Sequence, residues 1–201
     1  MDSLKNTPLF GLVLTGGESR RMGTDKALID YHGLPQEERM RELLLKCCEQ
    51  VFVVGKRPAD LNQIHRLTDL PHLNGMGPAA GLLTAADRFP EVAWLVAGCD
   101  YPYLEARGLI QLVAHRSPEY DGVAFVNPDT QLPEPLVAIY EPSLVRQLPG
   151  RVKEGDSSLR RLLASARVRL IVPENRNWIM SVDTPEEEEQ VRTTLRLRRT
   201  S

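Results

Sequence analysis

Residues 10–14 are almost uniformly apolar, and the chain then breaks at Gly16-Gly17 before running through Arg20, Arg21 and Gly23 to Lys26. A short apolar run that stops at glycine predicts a strand buried on both faces, the kind found in parallel sheets. A strand that empties into glycines and then cations presents backbone N–H groups and positive charge to phosphate. The glycines permit close backbone approach, while the guanidinium forks and the ammonium suit phosphate oxygens. The spacing is not GxxxxGK[ST], because Asp25 precedes Lys26 and Ala27 follows it. It is not GxGxxG either, because the glycines are adjacent. The plain structural alternative is a glycine turn followed by a solvated basic loop.

The rest of the chain repeats the strand-then-helix theme. Pro35 suits the first position of a helix with Met40, Leu43, Leu44 and Cys47 on its apolar face. Residues 51–54 predict a second buried strand, so the first unit is β-loop-α-β with parallel pairing and a right-handed crossover. Residues 27–31 read as a short extended piece, and residues 64–68 as a weaker third strand leading to Asp69. Pro78 opens a helix whose first turns, Ala79, Ala80 and Gly81, are small enough to press against a ligand or the sheet. Residues 92–97 predict a fourth strand running into Gly98-Cys99-Asp100-Tyr101-Pro102.

Beyond Gly122 the pattern is more β-like. Strands are expected at 123–126 and 136–140, separated by a turn holding Pro128, Pro133 and Pro135, and again at 168–172 and 179–182. A short helix is expected at 157–164. Thr184 is placed to cap a final helix, with Pro185 first in it and Glu187 completing a capping box. The alternation predicts one Rossmann-like, three-layer α/β domain with a mostly parallel central sheet, spanning 1–201 with a core at about 8–195. Its ligand belongs at the carboxyl ends of the strands, where the Gly16 loop, Asp69 and Asp100 all fall.

Several function classes are disfavoured. A formal net charge of −2 argues against nucleic acid or an anionic membrane as the main partner. Cys47, Cys48 and Cys99 form no Cys-x-x-Cys and read as reduced, cytosolic thiols, which points to a cytoplasmic protein. The first ten residues lack the basic and apolar regions of a signal peptide, and no apolar run approaches membrane-spanning length. His32, His65, His72 and His115 have no partner at ligand spacing. No G-x-S-x-G elbow occurs, so hydrolase chemistry is poorly supported.

Three acidic residues invite a role. Asp100, at a strand end before a proline, suits Mg²⁺, which takes a few protein oxygens plus substrate phosphates; capping of the next helix is the alternative. Asp183 is a second candidate ligand, balanced against simple helix entry beside Thr184. Asp69 can accept hydrogen bonds from a base edge or ribose hydroxyls, or be an ordinary loop aspartate.

The segment Leu14-Thr15-Gly16-Gly17-Glu18-Ser19-Arg20-Arg21-Met22-Gly23-Thr24-Asp25-Lys26-Ala27-Leu28 resembles the nucleotidyltransferase signature LxGGxSxRMGxDKal, in the form used by molybdenum cofactor guanylyltransferases. Thr15 replaces the more usual alanine. Gly98-Cys99-Asp100-Tyr101-Pro102 resembles that family's CDxP motif, with Tyr101 where a smaller residue is more usual. Gly77-Pro78-Ala79-Ala80-Gly81 resembles GPLAG, and residues 134–140 resemble PLfALY. Ser181-Val182-Asp183-Thr184-Pro185 stands where NxNTPE is expected and also resembles cytidylyl-type relatives. Gly55-Lys56-Arg57 lacks the asparagine often found after the second strand.

The resemblance implies a nucleotide-diphospho-sugar-transferase-like fold and Mg²⁺-dependent transfer of GMP from GTP to the phosphate of (molybdo)pterin, with release of pyrophosphate. It implies nucleotide contacts from Leu14, Thr15, Gly16, Gly17, Arg21, Lys26, Asp69, Gly77 and Asp100. The catalytic groups would be Arg21, Lys26 and Asp100, with Arg20 as a helper, and the metal ligands Asp100 and Asp183. GTP and molybdopterin or molybdenum cofactor are the implied substrates, with transient contact to cofactor-biosynthesis or acceptor proteins. The alternatives are a cytidylyltransferase or sugar-phosphate nucleotidyltransferase of the same superfamily, or a non-catalytic nucleotide-binding regulatory module.

Overall fold

The computed structural model describes residues 7–15, 25–55 and 65–199. Its strands are β1 Leu9–Leu14, β2 Gln50–Gly55, β3 Arg66–Thr68, β4 Ala93–Gly98, β5 Gly122–Val126, β6 Pro133–Tyr140 and β7 Val168–Ile171. The described residues build them into one sheet in the order β3-β2-β1-β4-β6-β5-β7. Every pairing is parallel except the two made by β6. The expected mostly parallel sheet is therefore present, and β1 and β2 pair in parallel as the first β-loop-α-β unit requires.

Helices cover both faces. On one side α1 (Gln36–Leu44) and α3 (Ala106–Ala114) pack with Trp178 against Val13, Leu95 and Ile139. On the other, α2 (Pro78–Arg88), α4 (Pro142–Val145), α5 (Leu148–Lys153) and α6 (Leu159–Ser165) meet Leu12, Trp94 and Tyr140. Leu9 and Val13 join the first core and Phe10, Leu12 and Leu14 the second, so β1 is apolar because both of its faces are covered. A third, smaller cluster of Ile29, Tyr31, Tyr103, Val182, Val191 and Leu195 seats the last helix, α7 (Pro185–Arg199). Among the described residues no helix is long and apolar enough to cross a membrane.

The small opening of α2 serves contact with the sheet. A Cβ at Gly81 would lie 2.6 Å from Leu14 Cδ2 and 2.8 Å from Val54 Cγ1. Gly81→Ala is therefore expected to destabilise the protein by about 1–3 kcal/mol despite alanine's better helix propensity. A fall in Tm of roughly 3–10 °C would report it; an unchanged Tm would mean that α2 can shift outward freely.

Several local expectations need correction. Only part of the expected extended piece at 27–31 is present: Ala27 and Leu28 belong to a 3₁₀ turn, Lys26–Leu28, because the Asp25 carboxylate accepts from the Ala27 N–H at 3.0 Å and caps it, while Ile29 is extended and Asp30 bridges antiparallel to Pro35. Residues 179–182 are not a strand. Arg176–Ile179 is a 3₁₀ turn, and the following backbone bonds to a loop, with Val182 N–H donating to the Asp100 carbonyl at 2.9 Å. Pro133 and Pro135 lie inside β6, not in a turn, but outside the 137–140 stretch that pairs with β4, so their missing donors leave that ladder intact. Helices α4 and α5 were not anticipated from Pro142, Pro149 and Gly150, yet the prolines sit in the first turns, where no donor is needed.

Candidate active site

The order of the parallel strands reverses at β1, which has β2 and β3 on one side and β4 on the other. The crevice beyond the carboxyl ends of β1 and β4 is thus the switch point where α/β sheets bind ligands. Leu14 and Gly98 are register partners there, so the segments leaving the two strands start side by side. Thr15 remains tied to β2, its N–H and hydroxyl donating to the Val54 carbonyl at 3.1 and 3.0 Å. The hydroxyl that replaces the usual methyl therefore has a backbone partner.

Asp100 folds back over the end of β4. A Cβ at Gly98 would collide with Asp100 Oδ1 and would crowd Tyr101 Cε2 at 3.2 Å, so only glycine leaves room for the carboxyl group. Asp100 is half-buried as a residue, but its Oδ1 is shielded from solvent and has no hydrogen-bond donor among the described residues. That burial pushes its pKa up to about 6, the Lys26 charge pulls the other way, and the Asp183 and Glu134 carboxylates add to the rise. Asp100 does not cap a helix, since α3 begins at Ala106 after Glu105.

Lys26 and Asp183 meet directly. The ammonium lies 2.7 Å from Asp183 Oδ1, across 157 positions of sequence. Asp183 Oδ2 accepts from the Ser181 hydroxyl at 3.2 Å. The capping box holds this segment: Glu187 Oε2 accepts from the Asp183 and Thr184 N–H groups at 2.7 and 3.1 Å, and the Thr184 hydroxyl accepts from Glu187 N–H at 3.2 Å. With Val182 bonded to the Asp100 carbonyl, α7 delivers Asp183 to the ends of β1 and β4. The structure thus gathers Lys26, Asp100 and Asp183, which lie far apart in the chain.

Asp69 follows β3 at the opposite end of the crevice and is half-buried. The next residue is anchored, Leu70 N–H donating to the Thr84 hydroxyl of α2 at 3.2 Å. Gly77 precedes α2 with φ at +59°, a left-handed conformation that favours glycine. Leu14, Thr15, Asp69 and Gly77 accordingly line the carboxyl edge from β4 toward β3. Gly16, Gly17, Arg20 and Arg21 lie outside the described residues.

Two neighbours carry no role in a reading of sequence alone. Glu134 is buried, and its Oε1 accepts the Tyr101 hydroxyl at 2.6 Å and the Leu136 N–H at 3.3 Å. Arg160 lies 3.8 Å from its other oxygen and donates to the Pro133 carbonyl at 3.3 Å. Burial and the nearby carboxylates hold the Tyr101 phenol well above its ordinary pKa, so it stays a donor. An acid at the head of a strand that is otherwise apolar was the available signal.

Among the described residues no three His, Cys, Asp or Glu side chains are grouped to hold a metal ion. A closed structural site is therefore absent from them. Two carboxylates, one with a shielded oxygen that has no donor among the described residues, do fit a hard cation that completes its shell with water and substrate phosphate.

The chain is similar to known proteins along most of its length. The family model for the MobA-like NTP transferase domain matches residues 11–170. A "Molybdenum cofactor biosynthesis bifunctional protein" of Synechocystis sp. is 37% identical over 192 residues, covering 94% of this chain; the chain spans only 55% of that protein's length. A "Probable molybdenum cofactor guanylyltransferase" of Bacillus cereus is 29% identical over 187 residues, covering 88% of this chain and 92% of its own. The crystal structure of molybdopterin-guanine dinucleotide biosynthesis protein A from Archaeoglobus fulgidus superposes with a TM-score of 0.72 at 22% identity, covering 94% of this chain and 99% of that one. The last likeness speaks to fold alone. With the family model matching residues 11–170, from β1 into β7, the chain belongs to the MobA-like NTP transferase domain family.

Proposed function

We propose that this protein is a Mg²⁺-dependent guanylyltransferase that joins GMP from GTP to the terminal phosphate of molybdopterin, with or without bound molybdenum, as a single nucleotidyltransferase domain. The observation that carries the reading is the meeting of Lys26, Asp183 and Asp100 at the switch point between β1 and β4. The names of the curated relatives supply the guanylyl and molybdenum-cofactor parts.

In the reaction, an acceptor phosphate oxygen attacks the α-phosphorus of GTP. The α–β bridging P–O bond breaks, and its electron pair leaves with pyrophosphate. The acceptor is already an anion near neutral pH, so no general base is needed. What the protein must supply is in-line positioning and neutralisation of charge. Lys26 is assigned to the triphosphate, where it stabilises charge growing on the leaving group, with Arg21 as its partner and Arg20 as a helper. The Gly16 and Gly17 amides, beyond Leu14 and Thr15, are assigned to the phosphates. Asp69 and Gly77, at the β3 side of the crevice, are assigned to the nucleoside. Asp100 and Asp183 would hold Mg²⁺, which when bound offsets phosphate charge.

The test is incubation with molybdopterin, GTP and Mg²⁺, followed by assay of the dinucleotide product and pyrophosphate. Absence of both products would refute the assignment. A thermal-shift panel of GTP, CTP, UTP and ATP with Mg²⁺ checks the base, and selective stabilisation by GTP is expected. Selective stabilisation by CTP would move the protein to the cytidylyl branch, which the Ser181-Val182-Asp183 segment resembles.

A further inference from the structure

Asp100 is flanked by a buried polar contact for which the reaction has no evident use. Tyr101 and Glu134 are both buried, and the phenol donates to Glu134 Oε1 at 2.6 Å. Glu134 is itself held by the Leu136 N–H, at the head of the strand that pairs with β4. The Tyr101 ring edge, with the Asp100 carboxyl, fills the space that a Cβ on Gly98 would need. The Asp100 carbonyl, one atom group away, accepts Val182 N–H and so fixes the segment that carries Asp183. The Asp100–Tyr101 dipeptide is therefore a joint between β4, β6 and α7, and both candidate metal ligands hang from it.

We propose that Tyr101 is a positioning residue: its hydroxyl bond to Glu134 braces the dipeptide so that the Asp100 and Asp183 carboxylates are set for a divalent cation. The inference rests on the reading that Asp100 holds the metal. Outer contacts that orient a ligand typically govern metal affinity ten- to a hundredfold. The bond, not the Glu134 charge, is the operative part. Tyr101→Phe keeps the ring packing and the Glu134 charge but removes the bond. Glu134→Gln keeps an acceptor for the phenol and removes the charge.

The experiment measures Mn²⁺ binding by electron paramagnetic resonance in the presence of a non-hydrolysable GTP analogue, with Tm recorded for each variant. Wild type should bind Mn²⁺, and Asp100→Asn should lose that binding. Tyr101→Phe should weaken Mn²⁺ about tenfold or more while the analogue's metal-free affinity stays within about twofold, and Glu134→Gln should stay within about threefold of wild type. Wild-type Mn²⁺ affinity in Tyr101→Phe, whatever its Tm, would overturn the brace while leaving the Asp100 reading standing. Weakening in Glu134→Gln alone would also overturn it, in favour of a charge effect. Failure of Asp100→Asn to change Mn²⁺ binding would instead strike the underlying reading.

Discussion

Lys26→Ala is expected to lower turnover about 10²–10³-fold while leaving the fold intact, the range seen when one preorganised donor to a developing negative charge is removed. The stability side follows from exposure. Lys26 pairs with Asp183 at 2.7 Å, but the Asp183 side chain is 62% exposed, so water replaces the lost partner. Such a pair contributes at most about 1 kcal/mol, and Tm should move by only a few degrees. A second effect separates Lys26 from a simple anchor. Its charge holds the Asp100 pKa below where burial alone would put it. Removing the ammonium removes that pull, so Asp100 in the metal-free protein should hold its proton to higher pH. Lys26→Arg keeps the charge and should leave that metal-free titration in place, although a planar guanidinium presents its donors differently from an ammonium. Near-normal turnover in Lys26→Ala at saturating nucleotide would remove this residue from the mechanism.

The carboxyl edge of the sheet was more legible in the sequence than the elements around it, for reasons that particular residues make clear. Residues 10–14 and 92–97 announce themselves because central parallel strands are apolar on both faces, and β4 ends in Gly98 at the crevice. The capping box at Thr184 and Glu187 is local chemistry, so it reads directly from spacing. The meeting of Lys26 with Asp183 is not local, since the residues lie 157 positions apart; what placed both near phosphate was a family resemblance, not periodicity. Residues 179–182 misled because Ile179, Met180 and Val182 make a short apolar run of the kind a strand shows. Here Ile179 and Val182 instead enter two different cores, while the backbone between them bonds to a turn and a loop. The one local signal for Glu134, an acid at the head of an apolar strand, names no partner for it; its importance rests on where β6 lies beside β4.

Asp100→Asn is expected to reduce turnover at least 10²-fold and, in metal-free buffer at pH 8, to raise stability. The first effect follows because an amide keeps the shape but not the charge that attracts a cation. The second follows from burial. The folded protein holds the Asp100 proton with a pKa of about 6 against an ordinary 3.8, so between those values the native state binds more protons than the unfolded chain. Stability then falls as pH rises through that window, and above it the ionised carboxylate carries the full desolvation penalty. Each pKa unit corresponds to about 1.4 kcal/mol; with partial exposure of the residue, the penalty is about 1–3 kcal/mol. The amide is uncharged, though the position of Oδ1 still lacks a donor among the described residues, so the net gain should be smaller, roughly 2–5 °C in Tm. The gain should shrink as pH is lowered from 7 toward 4, where wild-type Asp100 is protonated and the two proteins converge. Such an exchange of stability for function is common where a site needs a charge that folding alone would not tolerate. Thermal melts of both proteins in chelator, at pH 8 and pH 4.5, measure it. A variant less stable than wild type at pH 8, or a difference that does not change with pH, would show that Asp100 is not held at this edge against a desolvation penalty.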